Sequence, residues 1–366
     1  MDSAELKFPR YAKLAFVLLS LCMIVTILYY GQHILIPLIL SLLFAILLRP
    51  VVILLNVKLR FPNVIAVFVT VVFFVLSIAT ILLFVSWQVA DITDDWNKIK
   101  INLSIHFENV QQWIKQRFHV SYRKQENYIQ QVTQETLKGN SDLMGNTLSS
   151  FTDTLVSLVL IPIYTFLILL YRSHFTKFLY KIVSPKNELV LQDILTKVKT
   201  VVQSYIVGLI IEMGIVGVLT TTGLMLLGVE YAIFLGLITA ILNLIPYLGI
   251  LVAAFISILA TLVNSNEISM IIGIIILNMA VQLIDNNIIV PKIVGNKVRI
   301  NALATMVGVI IGGAVSGVAG MILSIPLIAI LKVIFDHIEP LKPLGFLMGN
   351  DISDNLKSAL IKKNKK

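Results

Sequence analysis

Gln282-Leu-Ile-Asp285-Asn286-Asn287-Ile-Ile-Val-Pro291-Lys292-Ile-Val-Gly295-Asn-Lys297-Val-Arg299 is the stretch that decides how this chain is threaded. An apolar run of membrane-span quality ends on a carboxylate and two amides. A short apolar tail follows, then a turn carrying Lys292, Lys297 and Arg299. A charged side chain inside a bilayer costs about 3 kcal/mol or more unless it faces a cavity or a partner. The basic turn reports which side of the membrane the chain has reached.

The surrounding composition requires a membrane. Of 366 residues, 57% are hydrophobic and 13% charged, against about 25% charged in soluble domains. Mean hydropathy is +0.91. Repeated apolar runs of about 20 residues suit spanning helices, so the fold class expected is an all-α integral membrane protein. Cys22 is the single cysteine, which excludes a disulfide framework and a cysteine metal site. His33, His106, His119, His174 and His337 show no metal spacing. No metal, cofactor or catalytic residue is expected, and neither a Ser-His-Asp set nor a Walker motif appears, so an enzyme is not expected. The net charge of +9 sits largely in short loops and in the Lys357–Lys366 tail, as the positive-inside rule requires, and is not read as a nucleic-acid footprint.

About eight membrane segments are expected. Leu14–Tyr30, Ile34–Leu48, Val64–Val85 and Phe151–Tyr171 are the first four. The loop around Lys58 and Arg60, and the Arg172–Lys199 segment, are basic and so read as cytoplasmic, with the N-terminus. Gln32-His33 is then outside, and so is Trp87–Ser150. In that segment Trp96, Ile99, Leu103, Phe107, Val110, Ile114 and Phe118 recur at helical spacing, predicting an extracytoplasmic amphipathic arm. It would cover its own bundle, contact another subunit or capture substrate. Ser184-Pro185-Lys-Asn-Glu188 has the N-cap and N1 chemistry of a helix start. That helix is expected to lie along the membrane surface and lead into a fifth span, Val201–Leu227. The divisions expected are 1–86 (three spans), 87–150 (arm), 151–200 (fourth span and cytoplasmic helix), 201–340 (transport core) and 341–366 (basic tail).

The core holds the informative arithmetic. Tyr231–Val263 is apolar for 33 residues, broken at Asn243-Leu-Ile-Pro246-Tyr247-Leu-Gly249. That length is too long for one crossing and too short for two. Ala302–Phe335 repeats the problem, broken around Gly312-Gly313-Ala-Val-Ser-Gly317-Val-Ala-Gly320 and again at Pro326. Ile268–Val290 between them reads as an ordinary span. Two Gly/Pro-interrupted hairpins, re-entrant or short, bring every basic cluster to one side. They also make two span-plus-hairpin halves of opposite orientation, an inverted repeat of the kind that flanks transporter sites.

These motifs resemble the AI-2E family, the autoinducer-2-exporter-like transporters. The resemblance rests on Phe234-Leu-Gly-Leu with Asn243-Leu-Ile-Pro246-Tyr247-Leu-Gly249, on Gln282–Val298, and on Gly312-Gly313, Gly317-Val-Ala-Gly320, Pro326 and Leu331-Lys332. It implies a membrane transporter without its own ATP hydrolysis. Members have been linked to export of the furanone signal autoinducer-2, and others to sodium/proton exchange. The family pattern usually has a second proline where this chain has Ile250, and often His-Pro where it has Asn301-Ala302, departures that bear on substrate.

The candidate pathway residues are Glu212, Asn243, Pro246, Tyr247, Gly249, Asn278, Gln282, Asp285, Asn286, Asn287 and Pro291, with Gly312, Gly313, Gly317 and Gly320 at the second hairpin. Asn278, Gln282 and Asp285 form a stripe along one helix face. Asp285 would take a proton or sodium ion, or else anchor the basic turn through Lys292 or Arg299. Glu212 is either a carrier or a buried hydrogen-bond donor. The tip at Asn243–Gly249 either offers carbonyls to a solute or is a plain turn. Three functions follow: a secondary exporter of a small polar molecule such as an autoinducer-2-like signal, coupled to H+ or Na+ or uncoupled; a sodium/proton antiporter; and a non-transporting scaffold. The partners expected are the lipid bilayer, a small polar solute, H+ or Na+, and further copies of the chain. The location expected is the inner (plasma) membrane, with both termini cytoplasmic.

Overall fold

The computed structural model describes residues 9–94, isolated positions between 101 and 116, and residues 158–245, 249–261, 268–295 and 300–350. Among them there is no β-strand. The helices are α1 (Arg10–Tyr30), α2 (Gln32–Lys58), α3 (Asn63–Asp94), α4 (Leu158–Leu170), α5 (Arg172–Ile182), α6 (Glu188–Leu226), α7 (Ala232–Leu242), α8 (Gly249–Thr261), α9 (Ile268–Ile284), α10 (Ala302–His337) and α11 (Lys342–Met348). Five of these, α2, α3, α6, α9 with its extension and α10, are long and apolar enough to cross a membrane, or six if α4 and α5, bent by 67°, form one span. Eight segments are reached only by also counting α1 and the α7–α8 pair.

α6 is the axis on which the rest is hung. α9 runs antiparallel to it: Gly273 lies against Leu227, Gly223 against Leu277, and Val281 groups with Val216. α2 is antiparallel as well, with Leu43 packed on Val202 and Leu323. α3 returns along α2 through Ala45, Leu48, Val52, Ala66, Val67 and Val71. Lipid tails are as apolar as leucine, so these helices are held by close packing rather than by hydrophobic exclusion. Gly217 and Gly236 accordingly sit where α6 meets α7, beside Ala240 and Thr221.

Both interrupted stretches fold back on themselves. α7 and α8 have 11 and 13 residues, about 16 and 20 Å at ~1.5 Å per residue, each short of a ~30 Å core. The start of α7 (Ala232, Phe234, Leu235) shares a cluster with the end of α8 (Ile256, Ile258, Ala260), and this base packs on Leu224 at the C-terminal end of α6. α10 is two helical arms joined where the chain leaves helical geometry, at Ser316 (φ −145°, ψ 21°) and Gly317 (φ 58°, ψ −141°). Ser324 Oγ donates to Gly308 O at 2.8 Å, and Gly312 lies directly against Gly320. In a straight helix residues 308 and 324 would be ~24 Å apart, so α10 is a hairpin turned at Ser316-Gly317. Its base meets the opposite end of α6: His337 Nε2 is 2.9 Å from Asp193 Oδ2. The two hairpins therefore enter from opposite ends.

Several expectations need correcting. Pro326 does not break the second hairpin; it lies buried inside the returning helix. Ile268–Val290 falls in a span as expected, but regular α-helix stops at Ile284 and two π-helical turns follow, Asp285–Ile289 and Pro291–Gly295. The helix begun at Glu188 runs into the fifth span as expected, but as one unbroken 39-residue helix with no turn that would lay its first part along the surface. The segment that does bend away is α5. Gln32-His33 is not a loop between antiparallel spans. Gly31, at φ −87° and ψ 0°, stays near helical geometry, and hydrogen bonds run from its N–H to Ile27 O and from Leu35 N–H to its carbonyl. The axis bends at Gly31 and does not reverse. α3 runs on past Val85 to Asp94, so no break marks the boundary at 87. The arm residues Trp96, Ile99, Leu103, Phe107, Val110, Ile114 and Phe118 lie outside the described residues.

Candidate functional site

Two buried carboxylates and one half-buried amide converge at the tip of the first hairpin. Glu212 lies midway along α6, Asp285 opens the first π turn, and Asn243 caps α7. Asn243 Nδ2 donates to Glu212 Oε1 at 3.2 Å and to Asp285 Oδ2 at 3.2 Å. An amide nitrogen has two protons, one for each carboxylate. Glu212 and Asp285 are 7% and 3% exposed. Three elements far apart in sequence thus bring two carboxylates to one amide.

Local chemistry explains the placement. Pro291 has no N–H to give back along the helix, and the Asn287 side chain takes the Leu283 carbonyl at 2.8 Å. The ladder widens instead, and Val290 N–H bonds to Asp285 O, five residues back. Such π turns interrupt helices mostly at functional positions. At the hairpin tip, a Cβ on Gly249 would fall on the Leu242 carbonyl. Only glycine lets the chain return that closely, and this holds Asn243 at the depth of Glu212.

The cluster is not fully satisfied. Asp285 Oδ1 is buried with no hydrogen-bond partner. Among the described residues no lysine, arginine or histidine pairs with either carboxylate. A buried acceptor without a donor costs about 1–3 kcal/mol, more when charged. The arrangement is suited to a proton, a small cation or a solute hydroxyl that supplies what is missing.

Of the other predicted residues, Asn278 is buried on the same face as Asp285 but donates to Ile274 O of its own helix at 3.0 Å. Gln282 donates to Asn286 Oδ1 at 3.1 Å on the exposed side. Asn286, Asn287 and Pro291 are exposed and do not join the cluster. Lys292 is exposed and makes no ion pair with Asp285; Arg299 lies outside the described residues. So do Pro246 and Tyr247. Gly312, Gly313, Gly317 and Gly320 serve the close crossing and turn of α10. Asn301, where the resemblance flags a departure, caps α10 through Ala304 N–H and donates to Leu347 O and Gly349 O. Sequence reasoning missed a second polar feature, a cavity beside Arg49, Arg172 and Lys199. In the sequence Arg172 and Lys199 stand out only as cytoplasmic charges, and their clustering with Arg49 depends on the α4–α5 bend.

Similar known proteins carry the name of transport proteins. The chain is 32% identical over 133 residues to YrrI of Bacillus subtilis, provisionally named a transport protein, covering 36% of this chain and 37% of that one. It is 28% identical over 142 residues to a protein of Borreliella burgdorferi named in the same way, covering 38% and 39%. It is 24% identical over 226 residues to YueF of Bacillus subtilis, also so named, covering 62% and 61%. The matched stretches thus span between about a third and three fifths of these relatives. Residues 18–339 match the family described as AI-2E family transporter, and with most of its length covered the chain belongs to that family of membrane transporters.

Proposed function

We propose that this protein is an ATP-independent secondary transporter whose load is taken at the Glu212–Asn243–Asp285 cluster. One observation carries the reading: a single amide bridges two buried carboxylates at the tip of a hairpin too short to cross, leaving one carboxylate oxygen open. Interrupted hairpins entering from opposite ends, around polar groups at mid-depth, are how inverted-repeat transporters build a site. The load is a small polar molecule exported from the cytoplasm, with an autoinducer-2-like polyol as the substrate class the family suggests. The carboxylates supply the coupling site for H+ or Na+. The protein works in the inner (plasma) membrane with its C-terminus cytoplasmic, as a homo-oligomer; the bend without reversal at Gly31 does not return the N-terminus to that side.

The same observation favours a second reading, sodium/proton antiport. Two carboxylates with no basic partner among the described residues call for positive charge, and exchange of Na+ for H+ is the simplest way to supply it. Proteoliposomes separate the two. An imposed pH gradient drives sodium flux under antiport and not under solute export alone. Asp285→Asn, which keeps the shape and removes the charge, abolishes flux under either. Full flux in Asp285→Asn, in protein that elutes and melts as the wild type, rules out the cluster as the load site.

A further inference from the structure

We propose that the cavity enclosed by α2, α4, α5 and α6 is a phosphate-group site, taking the phosphodiester of an anionic membrane lipid or a free phosphate compound. The cavity, of about 420 Å³, is lined by Arg49, Arg172 and Lys199 together with Thr176, Tyr180 and Gln192. Among the described residues it is lined by three cations and no carboxylate. Among the described residues none of the three has an ion-pair partner. Arg49 Nε is buried with no hydrogen-bond partner. Confining like charges with an unspent buried donor is unfavourable until an anion enters. Guanidinium groups match the planar, bidentate geometry of a phosphate oxygen pair.

The walls say what else such a ligand carries. Leu42, Ile46 and Ile168 give the cavity an apolar wall. Its roof is α5, which the 67° bend after α4 turns away from the span direction. Arg172, Thr176 and Tyr180, one turn apart, line the cavity. Phe175, Phe178, Leu179 and Ile182, on the rest of α5, are exposed at 37–64%. A short helix with aromatic and aliphatic side chains on one face and basic residues on the other lies in the headgroup plane. The cavity therefore opens where headgroups are, at the basic end of the bundle, with polar groups placed for the phosphate and an apolar wall for acyl chains. Basic pockets between membrane helices on the cytoplasmic side hold anionic headgroups in this way.

The full chain, purified and placed in nanodiscs of phosphatidylglycerol or of phosphatidylcholine, is analysed for retained lipid by native mass spectrometry. In parallel, its melting temperature is followed as inorganic phosphate is added to the phosphatidylcholine sample. Retention of phosphatidylglycerol but not phosphatidylcholine, weakened roughly tenfold or more in Arg172→Gln/Lys199→Gln, supports the site with lipid as its source. A saturable rise in melting temperature with phosphate, lost in the same variant, supports it with a free phosphate as the source. Lys177→Gln removes a neighbouring charge that does not line the cavity, and is expected to retain lipid as the wild type does. Equal retention of both lipids with no phosphate response overturns the proposal, as does equal weakening by Lys177→Gln. The wild-type comparison between the two lipids needs no variant, so a misfolded double substitution leaves the test intact.

Discussion

At the scale of single residues the chain separates two kinds of buried polar group. Thr70, Thr165 and Thr239 turn their hydroxyls back onto the carbonyl four residues earlier on their own helix, and so ask nothing of the rest of the fold. Asn243 is different, because both its donors leave the hairpin for other elements. Glu212 and Asp285 should then behave as one unit. Flux lost in Glu212→Gln and in Asp285→Asn is expected to be similar, and the double substitution is expected to lose little more than either alone, as for groups that act together. Losses that multiply would show independent roles. Asn243→Leu strips both carboxylates of their donor and is expected to lower stability by about 1–3 kcal/mol, read as a fall in melting temperature. These three residues were legible in the sequence because a charge or amide in an apolar run is conspicuous. Asn286 and Asn287 were grouped with Asp285 by adjacency. Neighbours on a helix point ~100° apart, so once Asp285 faces inward they turn away.

At the scale of elements, length against membrane thickness exposed both hairpins, since neither stretch fits one crossing or two. Their turns were harder to read. The break expected in the Gly312–Gly320 run is there, at Ser316-Gly317, where a positive φ is cheap only for glycine; the second break expected at Pro326 is not. The π turn at Asp285 was invisible as well, because it depends on Pro291 and the Asn287 side chain acting on the same ladder. The close crossing of the hairpin arms gives a graded test. A side chain at Gly312 would strike the Gly320 backbone and Ser324 Oγ, whereas one at Gly214 meets nothing within 4 Å. Gly312→Ala is expected to cost about 1–3 kcal/mol, as overpacking does. Gly214→Ala is expected to leave stability unchanged or to raise it slightly through helix propensity. Melting of the two variants in one detergent compares them. Equal melting temperatures would mean that the α10 arms are not in contact.

At the scale of the whole molecule, charge bias and packing arrive at the same division by separate routes. The sequence assigned Lys58, Arg60, the Arg172–Lys199 segment and the turn after Pro291 to one side by counting charges. The packing gathers them independently: α2 descends beside α6 so that Arg49 reaches Lys199, His337 meets Asp193, and α9 runs antiparallel to α6 and carries Lys292 toward the same end. Val85 instead packs with Leu224 and Tyr231 at the other end, and α3 continues there to Trp87, Asp91 and Asp94. What charge could not reveal was Gly31. A lone glycine before Gln32-His33 looks like a loop, and only its near-helical dihedrals show a bend. The prediction that belongs here concerns sidedness. With Cys22, the single native cysteine, replaced by serine, Gly295→Cys and Trp87→Cys are labelled in intact cells with an impermeant maleimide. Trp87→Cys is expected to react and Gly295→Cys to stay protected until the membrane is opened. Labelling of both from outside would require α9 to deliver the basic turn to the outer face. The two hairpins would then no longer enter from opposite sides of the bilayer, and the inverted arrangement around Asn243 would lose its basis.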